Sequence, residues 1–69
     1  MSNKLSMIAK NIKKLRKEKG ISQDKLSKLA NISYNTIIKI ESGDIQNPGI
    51  DTAQKIAKAF GVKIDDLMK

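Results

Sequence analysis

Aliphatic residues recur every three or four positions along most of this chain, and this spacing restricts its fold more than any other feature. The first run consists of Leu5, Ile8, Ile12 and Leu15. Residues at this spacing lie on one face of an α-helix, because each residue advances about 100° around the helix axis. No segment shows the alternation of apolar and polar residues that is typical of a half-buried β-strand. The sequence therefore predicts an all-α fold.

Capping and turn residues divide the chain into helices. Gly20 ends the first helix, whose N-cap is either Ser2 or Ser6. Ser22 and Ser33 have side chains that are preferred at N-caps, and they begin the second and third helices. The sequence predicts five helices around one aliphatic core, within a single domain that spans residues 1–69 and has a flexible N-terminal arm at residues 1–5.

Glycines mark the ends of the later helices. The third helix runs to Gly43, the fourth from about Ile50 to Gly61, and a short fifth helix from Ile64 to Met68. The side chains expected to face the core are Leu26, Leu29 and Ala30 in the second helix, Ile37 and Ile40 in the third, Ala53, Ile56, Ala57 and Phe60 in the fourth, and Ile64 and Leu67 in the fifth.

The connection between the second and third helices is short enough to restrict their relative orientation. It contains only Asn31, Ile32 and Ser33, and Asn31 tolerates the positive φ of a tight turn. A connection of this length forces a sharp angle between two helices, as helix-turn-helix motifs require.

Charge and composition limit the partners and the chemistry. Fourteen Lys and Arg residues against seven Asp and Glu give a net charge of +7, which favours nucleic acid, acidic protein or an anionic lipid surface. The chain has no Cys and no His, which excludes disulfides, finger-type zinc sites and the usual general base. We therefore expect no catalytic residue, no metal, no cofactor and no small-molecule substrate.

The chain has neither a signal-peptide pattern nor a run approaching the ~20 apolar residues of a membrane span. The sequence therefore predicts a soluble cytoplasmic protein that does not associate with membranes.

The third helix carries side chains that are suited to reading DNA. If Ile37 and Ile40 face the core, a polar ridge lies on the opposite side of this helix. An α-helix fits the major groove, where Asn bonds bidentately with adenine and Lys donates to guanine. Without this structural context, Asn35 and Lys39 would be at least as well interpreted as ordinary surface residues. The ridge consists of Asn35, Lys39 and Ser42, flanked by Tyr34 and Ile38 on one side and by Thr36 on the other.

Short segments at fixed spacing cover nearly the whole chain from Ile8 to Met68. They are Ile12-Lys13-Lys14-Leu15-Arg16, Gly20-Ile21-Ser22-Gln23, Leu26-Ser27-Lys28-Leu29-Ala30, Ser33, Thr36-Ile37, Ile40-Glu41-Ser42-Gly43, Pro48, and Ile56-Ala57-Lys58-Ala59-Phe60-Gly61-Val62. Together they resemble the helix-turn-helix DNA-binding domain of phage Cro and repressor proteins and of the xenobiotic-response-element family of bacterial regulators. The resemblance implies a five-helix, lambda-repressor-like fold with its helix-turn-helix at helices 2 and 3.

The resemblance also assigns roles to individual residues. It implies that Gln23, Ser33 and Ser42 contact the DNA backbone, that Tyr34, Asn35 and Lys39 face bases in the major groove with Thr36 beside them, and that Arg16 forms a structural ion pair with Glu41. Tyr34 either reads a base or stacks on a sugar.

Three residues depart from the family pattern. Ile38 is apolar where a small or polar residue is usual, and it either contacts a thymine methyl or packs against the second helix or a sugar. Asp44 occupies a position where basic residues are common. Gly49 replaces a helix-capping serine, at a cost of only a few tenths of a kcal/mol.

The function implied by the resemblance is that of a sequence-specific transcriptional regulator, most often a repressor. Its operator is expected to be an inverted repeat in double-stranded DNA, bound by a homodimer. Dimerisation is expected to use the loop from Asp44 to Ile50 and the C-terminal helix, where Ile45, Ile64 and Met68 are either exposed or part of the core. An antitoxin or restriction–modification controller, a protein-interaction adaptor and a membrane-surface peptide are the alternatives.

Overall fold

Five α-helices make up residues 7–69, the part of the chain that the computed structural model describes. They confirm the predicted all-α architecture. Their bounds are α1 Met7–Lys19, α2 Gln23–Ala30, α3 Tyr34–Ser42, α4 Ile50–Phe60 and α5 Ile64–Met68. The predicted N-terminal arm, the contribution of Leu5 to the core and the choice between Ser2 and Ser6 as the first N-cap lie outside the described residues.

The ends of α2 and α3 follow from local hydrogen bonds. The Ser22 hydroxyl accepts a hydrogen bond from the Lys25 N–H at 3.0 Å, and the Ser33 hydroxyl accepts one from the Thr36 N–H at 3.2 Å. Asn31 ends α2 with a φ of 57°, in the left-handed region. The turn between the two helices is therefore the predicted one, and its caps satisfy N–H groups that have no partner inside a helix.

All five helices contribute to one aliphatic core. Burying each large aliphatic side chain stabilises the fold by roughly 1.5–3 kcal/mol. The sequence left it undecided whether Ile45, Ile64 and Met68 are buried or exposed. In the structure Ile45 and Ile64 pack against this core, whereas the Met68 side chain is exposed. The buried cluster consists of Ile8, Ile12, Leu26, Ala30, Ile37, Ile40, Ala53, Ile56, Ala57, Phe60 and Leu67.

The prediction that Leu29 faces the core is wrong. Its side chain is 51% exposed, and Ser27 is buried in its place. Measured around the helix from Leu26, Ala30 lies at about 40° and Ser27 at about 100°, whereas Leu29 lies about 60° in the other direction. Serine tolerates the buried position because its hydroxyl donates a hydrogen bond to the Asp24 carbonyl at 2.7 Å.

The short helix α5 is held against α1 by the side-chain amide of Asn11. Its Nδ2 donates hydrogen bonds to the carbonyl oxygens of Leu67, at 2.6 Å, and of Lys69, at 3.2 Å. Carbonyl groups at the end of a helix have no partner within the helix, so this amide satisfies two of them. No local pattern in the sequence predicts this role for Asn11. Leu67 is thereby fixed over the end of the core, where it is fully buried.

Candidate nucleic-acid interface

The outer face of α3 is polar and open to solvent, because the buried Ile37 and Ile40 orient this helix. The side chains of Asn35 and Lys39 are exposed and form no hydrogen bond or ion pair with another residue in the range 7–69. Tyr34, at the start of the helix, is also exposed. The ridge predicted from the sequence therefore exists as a surface with free donors and acceptors.

Three hydroxyl groups near this ridge make local hydrogen bonds. The Oγ of Ser33 and the Oγ1 of Thr36 lie 2.8 Å apart and share a hydrogen bond. At the other end of α3, the Ser42 hydroxyl donates to the Lys39 carbonyl at 3.1 Å and accepts from the Asp44 N–H at 3.4 Å. Ser33 and Ser42 remain exposed, whereas Thr36 and Ile38 are partly buried. Among the polar side chains of α3, those of Tyr34, Asn35 and Lys39 are exposed and form no hydrogen bond within residues 7–69.

A buried ion pair joins α1 to α3 beneath the helix-turn-helix. The Arg16 Nε donates to Glu41 Oε2 at 2.7 Å, and its Nη2 donates to Oε1 at 2.9 Å. The exposed fractions of the two side chains are 19% and 2%. A third donor of Arg16, Nη1, reaches the Ile21 carbonyl at 3.1 Å. Because a planar guanidinium matches a carboxylate in two places, this pair sets the relative position of the two helices.

The pair affects the ionisation of its basic member. The hydrogen bonds that Arg16 donates to Glu41 raise the pKa of Arg16, the negative charge of Glu41 adds to the rise, and partial burial of the guanidinium opposes it. Arg16 is therefore charged throughout the ordinary pH range.

Gln23, the first residue of α2, also contacts this pair. Its Nε2 donates a hydrogen bond to Glu41 Oε1 at 3.3 Å, and the side chain is partly buried. The family resemblance implies that Gln23 contacts the DNA backbone, but it does not predict this contact with Glu41. The two residues are 18 positions apart, on different helices, so only the packing of α2 against α3 brings them together.

Comparison with known proteins identifies the family. Residues 12–67 match the family model described as helix-turn-helix. This chain belongs to that family. Its relatives are named as HTH-type transcriptional regulators, and α2, the turn and α3 form the helix-turn-helix itself. No solved structure matches the chain at a significant level.

Three relatives illustrate the range of this helix-turn-helix family. An uncharacterized HTH-type transcriptional regulator of Bacillus subtilis, YgzD, is 39% identical over 56 residues, which cover 81% of this chain and 83% of the relative. Another, from Methanocaldococcus jannaschii, is 46% identical over 48 residues, which cover 70% and 71%. The cryptic phage CTXphi transcriptional repressor RstR of Vibrio cholerae is 32% identical over 62 residues, which cover 90% of this chain and 55% of the repressor.

Lysines dominate the outer surface of α1 in this helix-turn-helix protein. Lys10, Lys14 and Lys17 are exposed, and within residues 7–69 none of them forms an ion pair. In this range the exposed ion pairs are Lys28–Asp24, at 3.3 Å, and Lys69–Asp66, at 3.6 Å. Exposed pairs contribute about 0–1 kcal/mol each, so most of the positive charge stays available to an anionic partner.

Other kinds of site are not seen in the part of the chain that the structure describes. Residues 7–69 contain no cluster of acidic, His or Cys side chains that could hold a metal ion, and no pocket. None of the helices in this range is long and apolar enough to cross a membrane.

Proposed function

We propose that this protein represses transcription by binding a specific operator in duplex DNA, with α3 in the major groove. The observation that carries the proposal is the exposed face of α3, on which Asn35 and Lys39 present unused polar groups above two fully buried isoleucines. The named repressor among the relatives supports the direction of regulation. The protein acts in the cytoplasm by binding alone, without a catalytic step or a cofactor.

Discrimination between operators comes from the α3 ridge. Asn35 bonds with an adenine and Lys39 with a guanine, and each good base contact contributes ~1–3 kcal/mol of discrimination. Tyr34 lies at the edge of the same surface, where its ring contacts a base or a sugar. Thr36 supports the surface indirectly, because its hydroxyl is bonded to Ser33.

Positioning on the duplex comes from contacts with phosphates. Gln23, Ser33 and Ser42 lie at helix ends, and all three carry neutral groups that can donate. The Ser42 hydroxyl donates its one hydrogen to the Lys39 carbonyl, so it must exchange that bond for one to a phosphate. The Ser33 hydroxyl already shares its hydrogen with Thr36 or accepts from it, so it acts as a donor only in one of these two arrangements. These contacts fix the register of the protein and carry no sequence information.

The operator is an inverted repeat occupied by two copies of the chain. A single domain of this size buries roughly 600–1,000 Å² on DNA, so a second copy adds affinity and specificity. The exposed apolar side chains nearest the predicted dimer segments are Ile50, at 66% exposed, and Met68, at 51%. Ile45 and Ile64 are unsuited to this role because they already pack against the core.

The proposal is tested by selecting binding sites from a random duplex library. The wild-type protein is expected to enrich an inverted repeat, with half-sites about one helical turn apart. A variant with Asn35→Ala and Lys39→Ala is expected to lose the preference at equivalent positions in both halves. The matched control is Gln54→Ala with Lys55→Ala, which removes one side-chain amide and one lysine from the exposed surface of α4 and should enrich the wild-type site.

Two results would overturn the proposal. If the wild type binds duplex DNA but enriches no sequence, specific regulation is wrong for this chain and an adaptor role replaces it. If the double variant on α3 enriches the wild-type operator unchanged, the bases are read by another surface.

A further inference from the structure

Glu41 is the acceptor at which the ion pair and the DNA-facing end of α2 meet. Its Oε1 accepts from Arg16 Nη2 at 2.9 Å and from Gln23 Nε2 at 3.3 Å. The carboxylate itself is 2% exposed, so it lies beneath the surface and does not face a ligand. Gln23 therefore links the buried carboxylate of Glu41 to the protein surface at the start of α2.

The chemistry of the two partners determines the orientation of the Gln23 amide. A carboxylate only accepts hydrogen bonds, so it must bond the NH2 end of the amide and not its carbonyl oxygen. The NH2 group has two hydrogens, and Glu41 uses one of them. The second hydrogen is the part of this amide to which a phosphate oxygen, also only an acceptor, can bond. A rotated amide would present its carbonyl oxygen to the same phosphate and repel it.

Arg16 makes this arrangement compatible with a nearby phosphate. A lone carboxylate below Gln23 would repel the DNA backbone across a poorly hydrated surface. The guanidinium bonds both oxygens of Glu41 and cancels its charge. The phosphate then meets a neutral pair that carries an oriented donor.

We propose that Arg16 and Glu41 are positioning residues for DNA binding, which hold the Gln23 amide so that its Nε2 bridges the buried carboxylate and a backbone phosphate. The inference rests on the proposed function, since it needs Gln23 to lie against the duplex. It assigns to the pair a task beyond holding α1 against α3.

The direction in which Glu41→Gln changes DNA affinity distinguishes a positioning role from a simple effect of net charge. Glu41→Gln removes a negative charge and raises the net charge by one from +7, which by itself strengthens binding to DNA. It also releases Arg16 from its anionic partner, which acts in the same direction. Loss of amide orientation acts in the opposite direction. Weaker binding by Glu41→Gln is therefore expected only if Glu41 positions Gln23.

The experiment measures the affinity for a mixed-sequence duplex of about 30 base pairs at low salt, because a phosphate contact needs no operator. We expect Gln23→Ala to weaken binding about 10-fold and Glu41→Gln about fivefold. The control Asp24→Asn removes an exposed acid one residue from Gln23 and should strengthen binding about twofold. In the Gln23→Ala background, Glu41→Gln should no longer weaken binding and should strengthen it slightly.

Folding of each variant is checked by circular dichroism at the temperature of the binding measurement. If Glu41→Gln is unfolded, Glu41→Asp takes its place, because it keeps the charge and withdraws the carboxylate from Gln23 by one methylene. The side-chain amide resonances of Gln23 provide an independent readout in the free protein. They should shift toward those of an exposed glutamine in the Glu41 variant and remain unchanged in Asp24→Asn.

The outcomes separate the inference from the proposed function. If the folded Glu41 variant binds as tightly as the wild type or more tightly, or if its loss simply multiplies that of Gln23→Ala, the positioning role is wrong while DNA binding stands. If the wild type itself shows no salt-sensitive binding to the duplex, the proposed function fails first.

Discussion

At the scale of single residues, Arg16 and Glu41 form the ion pair that lies against the core, with the carboxylate buried. A buried ion pair contributes little net stability compared with apolar replacements, but removing one partner leaves an uncompensated charge. Gln23 cannot take over the role of Arg16, because its amide offers Glu41 only one neutral donor. The chain therefore depends on Arg16 in a way that its surface lysines do not share.

The corresponding prediction concerns the stability of Arg16→Met. It should lower the free energy of unfolding by about 3–5 kcal/mol, measured by urea denaturation, because Glu41 is left buried without a cation. Adding Glu41→Leu should restore much of this loss. Lys28→Met, which breaks the exposed pair with Asp24, should cost under about 1 kcal/mol. Equal losses for Arg16→Met and Lys28→Met would contradict the assignment.

This contribution should not vary with pH in the ordinary range. The pKa of Arg16 is raised in the folded state, so its contribution is fully present below the unfolded pKa and is lost only as the pH rises through the folded one. Both values lie at strongly alkaline pH. The stability difference between wild type and the double variant Arg16→Met with Glu41→Leu, in which no buried carboxylate remains, should therefore be the same at about pH 6 and about pH 9.

At the scale of helices, α4 begins differently from α2 and α3. Its N-cap is Gly49, with φ −61° and ψ 161°, and no side chain caps the helix. Any residue can adopt this extended backbone conformation, and a Cβ added at position 49 meets no atom within 4 Å. By contrast, Gly61 ends α4 with a φ of +73°, although a Cβ there also meets nothing within 4 Å. Both positions have room for a side chain, and they differ only in backbone conformation.

Gly49→Ser should therefore stabilise the protein by a few tenths of a kcal/mol, because it adds a capping hydroxyl and restricts the unfolded chain. Gly61→Ala should destabilise it by about 1–2 kcal/mol, since alanine is strained in the left-handed region. Thermal unfolding measures both variants, and the melting temperature should rise for Gly49→Ser and fall for Gly61→Ala. A stabilising Gly61→Ala, or a destabilising Gly49→Ser, would show that local backbone geometry does not control the ends of α4.

At the scale of the whole molecule, the net charge of +7 makes DNA binding depend on salt. If three or four phosphates are contacted, affinity should fall about 100-fold between about 50 mM and about 200 mM salt. Because Lys39 is assigned to a base and not to a phosphate, Lys39→Gln should weaken binding to the preferred site while changing the slope by less than one, and Lys14→Gln should leave the slope unchanged if the outer surface of α1 is solvated. Fluorescence anisotropy across a salt series measures both slopes, and a flat dependence for the wild type would exclude a phosphate-driven interface.

Much of the fold was predictable because it follows from local chemistry. Ser22 and Ser33 cap α2 and α3 as predicted, and Gly61 ends α4, because a cap depends on residues within one turn. The inward face of α4 was also predictable, since its apolar residues occupy a single stripe. The exposed position of Asn35 and Lys39 then followed from helix geometry alone, although their contacts with bases remain predictions.

Apolar character was a weaker guide in α2. A leucine and a serine lie on either side of its buried face, and the sequence favoured Leu29 for the core. The structure buries Ser27, whose hydroxyl finds a carbonyl one turn earlier. Whether Leu29 or Ser27 is buried depends on how α2 packs against α3 and α4. That packing cannot be predicted from the sequence of α2 alone.

The sequence by itself therefore determined the helices, their ends and the family to which they belong, because each of these depends on neighbouring residues or on their spacing. Only the tertiary structure decided that Asn11 holds the last helix and that Gln23 bonds Glu41 beside Arg16. These contacts join residues far apart in the chain. They exist because packing of the aliphatic core brings the helix surfaces within hydrogen-bonding distance, and no local pattern encodes that distance.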